Sequence, residues 1–235
     1  MYNGIRDLCD CVHVFVEQPP SPLKMIRRRI KKLGWLVVFG QLLFLLGCRL
    51  ASSRRHRRIN RIACELNLTL NPPENVNQVG SINDESLKDR IREFTPDLVI
   101  VNGTRIISES LLNAIEAPFV NTHVGITPNY RGVHGGYWAL ASGDIENFGV
   151  TVHLVDKGID TGSVLYQARF KPGPNDSFGT YPIRQLAAAI PLMRRVIEDV
   201  KAGILSPQKV VGNSKLWSHP TIFGYLYRRL LKGVK

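Results

Sequence analysis

At 235 residues, 44% hydrophobic and 21% charged, the chain can bury a core of ordinary size, and its composition excludes a disordered or fibrous protein. Its formal net charge of +12 is lopsided: residues 1–70 hold 13 Lys and Arg against 4 Asp and Glu, and residues 71–235 hold 18 against 15. The basic half suits an anionic partner, such as a phosphorylated substrate, nucleic acid or a membrane surface, or else a solvated helix face.

Cys9, Cys11, Cys48 and Cys64 have neither zinc-ligand spacing nor a secretory context, so they are expected to be reduced thiols of a cytoplasmic protein. Residues 12–16 (VHVFV) predict a short buried strand, closed by the proline-rich residues 18–22. Residues 23–46 predict a helix bent near Gly34 and Gly40. Within this region, residues 33–48 are the membrane candidate, too internal for a signal peptide. These 16 residues include Gln41 and two glycines, short of the roughly 20 that a span needs. The favoured expectation is a buried helix with solvated ends. Docking on a membrane surface through the flanking basic residues 27–32 and 54–58 is the less favoured one.

Residues 52–66 predict a basic helix, followed by a loop at Asn71-Pro72-Pro73 and a short strand at 76–78. A helix over 86–94 stops ahead of Thr95-Pro96. Residues 97–102 (DLVIVN) then read as a buried strand of the kind parallel sheets use, 108–115 as a helix and 118–122 as another strand. This order predicts an α/β fold, Rossmann-like, with a mostly parallel sheet flanked by helices. Ligands of such sheets gather beyond the carboxyl ends of the strands, where Gly103-Thr104-Arg105 and Thr122-His123 fall. A helix over 136–142 precedes a strand at 150–155 (VTVHLV), whose alternation predicts one polar face. Residues 163–170 are expected to pair with that strand or continue the sheet. Residues 182–202 carry apolar side chains at a 3.6-residue period and predict a core-facing helix. The organisation is thus one catalytic domain over 1–204 and a basic C-terminal extension over 205–235, too small to fold independently.

The candidate chemistry lies between residues 119 and 162. Asn121 and His123 end an apolar strand, and Asp160 follows 37 residues after His123. An amide, an imidazole and a carboxylate at strand ends can polarise a carbonyl, move a proton and orient the base. Taken singly, each also has a structural explanation, as turn former, satisfied core histidine or turn aspartate. His134, in the loop beside them, is a candidate acceptor contact, and His153 follows strand alternation and is assigned a structural role. The spacings of His123, His134 and His153 match no recognised zinc pattern, so no metal is expected. The chain lacks G-x-S-x-G, Walker and G-x-G-x-x-G motifs, which argues against serine-hydrolase, P-loop and dinucleotide readings.

Asn121-Thr122-His123, the following Ile126-Thr127-Pro128-Asn129-Tyr130-Arg131-Gly132, and Gly149-Val150-Thr151-Val152-His153 leading into Asp156-Lys157-Gly158-Ile159-Asp160-Thr161-Gly162 resemble the formyltransferases that use 10-formyltetrahydrofolate. That family includes glycinamide ribonucleotide, methionyl-tRNA and sugar N-formyltransferases. The resemblance covers residues 95–200 and implies a catalytic trio of Asn121, His123 and Asp160. It also implies a folate side built from Arg105, Ile106 and Ile107 and from the loop holding Asp156 and Gly158, both offering backbone groups to the pterin. Family members usually open with a strand, a glycine-containing turn and a helix that hold part of the acceptor. Here only 11 residues precede VHVFV, so that unit is expected to be missing or replaced. The C-terminal domain with which methionyl-tRNA formyltransferases hold tRNA has no counterpart in the chain, which speaks against tRNA as acceptor. The expected reaction is formyl transfer from 10-formyltetrahydrofolate to a small-molecule amine, preferentially on a nucleotide-linked amino sugar. The alternatives are a formyltetrahydrofolate hydrolase and an inactive folate-pocket or membrane-surface binding protein.

Overall fold

Local chemistry sets the first boundaries. A computed structural model describes residues 1–235. Strand β1 (Phe15–Glu17) precedes helix α1 (Pro22–Leu33), whose proline sits in the first turn, where its missing N–H has no helical partner to lose. Gly34, at φ 83°, interrupts the helical run before α2 (Trp35–Leu50), and α3 (Ser52–Glu65) follows. Next come β2 (Asn77–Val79), α4 (Glu85–Glu93), β3 (Val99–Val101), α5 (Glu109–Ala114) and β4 (Phe119–His123). The Ser108 hydroxyl caps α5 by accepting the Leu111 N–H. The chain continues through β5 (Arg131–Gly132), α6 (Gly135–Ala141), β6 (Gly149–Leu154), β7 (Val164–Arg169) and α7 (Tyr181–Ala202). It closes with β8 (Leu216–Trp217) and α8 (Ile222–Leu231).

The central sheet has the order β3-β4-β6-β7. Strands β3 and β4 run parallel, while β6 and β7 add antiparallel to β4. A second parallel pair, β1 with β2, lies apart from it. The α/β class is as expected, with parallel pairing confined to its N-terminal half and to the small β5–β8 pair. Strand 163–170 pairs with its predecessor as expected.

Alternation along β4 divides the core. Val120 points to a cluster with Val152 and Leu165 and with Met193, Val196 and Ile197 of α7. Phe119 points to the opposite side, where Val101, Leu87, Ile91 and Leu111 pack. The sheet is therefore covered on both faces, which is why its strands read as continuous apolar runs. Asn121 and His123 continue the face that Phe119 begins.

Several expectations are corrected. The strand expected at 12–16 occupies Phe15–Glu17, and Val12 and Val16 are exposed. β-Branched residues record strand propensity, and β1 is paired with β2 alone, so much of it stays wet. The helical run breaks once, at Gly34. Gly40 stays helical, and its bare Cα admits Thr221 of the C-terminal segment, to which an added methyl would lie 3.0 Å away. Helix α2 is not buried: Val38, Gly40, Gln41 and Phe44 are its buried residues, and most of its other apolar side chains face outward. The polar face expected for 150–155 is present, and its Thr151 and His153 are both buried.

Candidate active site

The register of β4 against β6 builds the site. Asn121 lies opposite His153 and His123 opposite Thr151. Opposed residues of neighbouring strands share a face, so two polar residues from each strand form one patch. Asp160 enters it from the loop after β6, at φ 50°, a left-handed backbone that aspartate tolerates better than most residues.

The trio expected from sequence is together. His123 Nδ1 lies 3.3 Å from Asp160 Oδ2, and the Asn121 amide nitrogen donates to Asp160 Oδ1 at 3.4 Å. The Gly132 N–H donates to Asp160 Oδ2 at 2.8 Å. His153, assigned a structural role from sequence, belongs to the same group. Its Nε2 is 3.2 Å from the Asn121 amide nitrogen and 3.6 Å from Asp160 Oδ1. The sequence signal that could have found it is the shared face of Thr151 and His153 in VTVHL, read against the face of Asn121 and His123. Thr151 braces the loop above, donating to the Gly125 carbonyl at 2.8 Å and accepting the Thr127 N–H at 3.1 Å.

Acceptors fix the proton positions. His153 Nδ1 lies 2.7 Å from the Leu154 carbonyl and must donate to it, leaving Nε2 to accept from Asn121. His123 Nε2 lies 2.6 Å from the Tyr130 carbonyl and likewise donates. Burial holds the His123 pKa below 6.5, against the opposing pull of the Asp160 charge and the Tyr130 carbonyl. For Asp160, burial pushes the pKa up. The two histidine rings beside it and the Gly132 N–H outweigh it, and the result lies below 3.8. Near neutral pH a carboxylate therefore faces an unprotonated Nδ1 at 3.3 Å. Two acceptors at this distance can share one incoming proton between them. Asp160 is the more accessible partner, its side chain 12% exposed against 4% for His123.

These side chains line one wall of a cavity of about 720 Å³, within the usual range for small-molecule sites. Arg105, Ile106, Ile107, Asp156 and Gly158 all line it as well, and the structure gives them unequal parts. The Arg105 guanidinium is spent on Glu17 Oε2 at 2.6 Å and on the Gln18 carbonyl at 2.7 Å, and the Arg105 backbone N–H donates to Glu17 Oε1 at 2.6 Å. Ile107 is buried in the core beside Leu111, whereas Ile106 is exposed at the cavity. Asp156 Oδ1 accepts from Gly158 N at 3.0 Å and Thr161 Oγ1 at 2.6 Å, bracing its own loop. The Thr122 hydroxyl, among the lining residues, is buried without a partner.

Glu17 thus fastens β1 to the 103–107 loop, and it also accepts the Ile82 N–H at 3.2 Å. Glu17→Ala leaves these donors unmatched and is expected to cost about 1.5–3 kcal/mol of stability, the range for hydrogen bonds to a charged group. Urea denaturation reads it, and a loss under about 0.5 kcal/mol, the scale of an ordinary surface substitution, overturns that fastening role.

The far rim was missed from sequence: Arg29, Lys32 and Leu33 at the end of α1, and Trp217, Ser218 and His219 beside β8. The C-terminal extension is therefore part of the cavity. His134 does not line it. Its Nε2 lies 2.9 Å from Nδ1 of His219, so it supports the rim from behind. Burial lowers both pKa values, to about 3 for His134 and about 4 for His219, so the pair is neutral near pH 7.

The model of a family described as formyl transferase matches residues 56–197. A methionyl-tRNA formyltransferase of Koribacter versatilis is 29% identical over 145 residues, 61% of this chain and 45% of that protein. The chain spans less than half the length of the first curated relatives it matches, 45, 48 and 42%. Among solved structures, a phosphoribosylglycinamide formyltransferase from Streptococcus pneumoniae superposes with a TM-score of 0.54 at 22% identity, covering 85% of this chain and 92% of that one. The formyltransferase PseJ from Anoxybacillus kamchatkensis, in complex with UDP-4,6-dideoxy-4-formamido-L-AltNAc and tetrahydrofolate, does so with 0.54 at 22%, covering 67% and 81%. At such identities the structural likeness speaks for the fold.

Proposed function

We propose that this chain, which belongs to the formyl transferase family, transfers a formyl group from 10-formyltetrahydrofolate to an amine. The observation that carries the reading is the convergence of Asn121, His123 and Asp160 on one cavity wall.

The cavity suits the co-substrate by size and by the exposed Ile106. Peptide groups of the 103–107 and 156–160 loops would hold the pterin. Arg105 contributes through its place in the loop, since its side chain is engaged by Glu17 and Gln18. Bound 10-formyltetrahydrofolate supplies a formyl carbon open to attack. The amine's lone pair forms the new C–N bond, the carbonyl electrons move to oxygen, and the old C–N bond breaks as that oxyanion collapses. The Asn121 N–H that reaches Asp160 across a long 3.4 Å is free to turn to the developing oxyanion. Asp160 takes the amine proton, directly or through water, and shares it with His123 Nδ1, and the proton passes on to the departing folate nitrogen as the old C–N bond breaks. His153 holds Asn121 from the other side.

For the acceptor we favour an amino sugar carried on a nucleotide, since Arg29 and Lys32 on the rim suit its diphosphate. Purified protein given 10-formyltetrahydrofolate and a panel of amino-sugar nucleotides, glycinamide ribonucleotide and methionyl-tRNA is expected to release tetrahydrofolate only with the sugars. Turnover with another amine redirects the acceptor. Formate released without any amine favours the hydrolase, and no turnover at all removes the transfer reading.

A further inference from the structure

Helix α2 has 16 residues and one charged side chain, Arg49. One face is spoken for: Phe44 packs against Tyr225 of α8 with ring centroids 5.1 Å apart, and the Gln41 amide donates to the His219 carbonyl at 2.8 Å. The opposite face carries Trp35, Phe39, Leu42, Leu46 and Leu50, all exposed, Trp35 at 66% and Leu50 at 81%. Their spacing of four, three, four and four keeps them in one stripe. Helix α8, packed on α2, repeats the pattern with Phe223, Leu226, Tyr227, Leu230 and Leu231, all exposed. Large apolar patches of this kind are rare on a surface that meets only water.

The segments that carry and flank the patch are strongly cationic. Between Glu17 and Glu65 the chain holds twelve Lys and Arg and no carboxylate, and none follows Asp199, while Arg228, Arg229, Lys232 and Lys235 do. Helices α1 and α3, on either side of α2, carry eleven of the twelve. No helix here is long and apolar enough to cross a membrane, and α2 and α3 meet at a 64° bend. At a rise of about 1.5 Å per residue, α2 is roughly 24 Å long, shorter than a bilayer's hydrocarbon core.

We propose that α2 and α8 dock this chain on an anionic lipid surface, lying in the interface with the Trp35 stripe among the acyl chains and the arginines and lysines of α1 and α3 at the headgroups. A second copy of the chain is a poor occupant of the same face, because pairing would set one cationic rim against another. The cavity rim residues Arg29, Lys32 and Leu33 lie within six residues of Trp35, across Gly34, so docking sets the rim at headgroup level. The proposal does not depend on formyl transfer.

The test is flotation of the full chain with phosphatidylcholine vesicles that contain or lack phosphatidylglycerol, at low and high salt. Binding is expected with phosphatidylglycerol, falling with salt, and falling at least about tenfold in the triple variant Trp35→Gln, Phe39→Gln, Leu46→Gln. All three residues are exposed, and an unchanged thermal melt checks that the variant folds. Equal binding by the triple variant, binding indifferent to phosphatidylglycerol, or no binding by the parent chain each overturns the proposal. Light scattering on the parent separates the remaining case, in which a dimer abolished by the triple variant, without vesicle binding, assigns the face to a second copy.

Discussion

Replacing His123 by alanine, or Asp160 by asparagine, is expected to lower kcat at least about 10²-fold, the ordinary contribution of a placed acid or base, while folate affinity changes less. The two substitutions remove the same property by different routes. His123→Ala deletes one of two facing acceptors. Asp160→Asn keeps an oxygen for the Gly132 N–H, 2.8 Å away in the parent, yet turns the carboxylate into an amide that can donate to His123 Nδ1. Either way a proton leaving the amine loses its destination. Kinetics with saturating amine, together with folate binding by fluorescence, separate the two effects. Equal loss of affinity and turnover sinks the assigned roles.

The same pair sets a pH response. Both groups have folded pKa values below their ordinary ones, His123 below 6.5 and Asp160 below 3.8, so on acidification the unfolded chain binds protons before the folded one. Stability is then lost as pH falls. The His123 contribution begins to go as pH drops through 6.5, and that of Asp160 as it drops through 3.8. Protonating His123 also fills the basic pair, so the acid limb of kcat/KM is expected below pH 6.5. A limb that stays in place in Asp160→Asn counts against the pairing.

Much of this was legible beforehand. Asn121, His123 and Asp160 were readable as a group because two separated motifs hold them in a set order with flanking glycines, and the fold brings them together. His153 was not, since period-two alternation tells which residues share a face and not whether water or another strand meets it. Here that face, which β6 shares with Asn121 and His123 of the neighbouring β4, is inside the site. Helix α2 failed in the opposite direction: an apolar run fixes what water would rather leave, but the protein covers only the side bearing Val38, Gln41 and Phe44. The rim formed by Trp217 and His219 comes from β8 pairing with β5 across 85 residues, a contact no local pattern announces. Arg105 could be placed at the cavity from its loop, but its partner Glu17 lies 88 residues away.

Gly125→Ala is expected to disable the site from behind. A methyl group there would sit 2.6 Å from the Tyr130 carbonyl oxygen, 2.7 Å from His123 Nε2 and 2.9 Å from the Gly135 Cα. Two of those obstacles are backbone, and the Tyr130 carbonyl is the acceptor that holds His123 in its tautomer at 2.6 Å. Relief therefore requires moving either the 125–135 loop or the imidazole. Overpacking of this kind costs about 1–3 kcal/mol, and the displaced Nδ1 no longer faces Asp160, so kcat should fall by roughly as much as in His123→Ala. Gly47→Ala, where nothing lies within 4 Å, is the matched control and should leave turnover in solution unchanged. If Gly125 acts through His123, then adding Gly125→Ala to the His123→Ala protein should cost little further turnover while still lowering stability. A full second loss of turnover in the double variant would mean that the loop, and not the histidine it holds, limits the reaction.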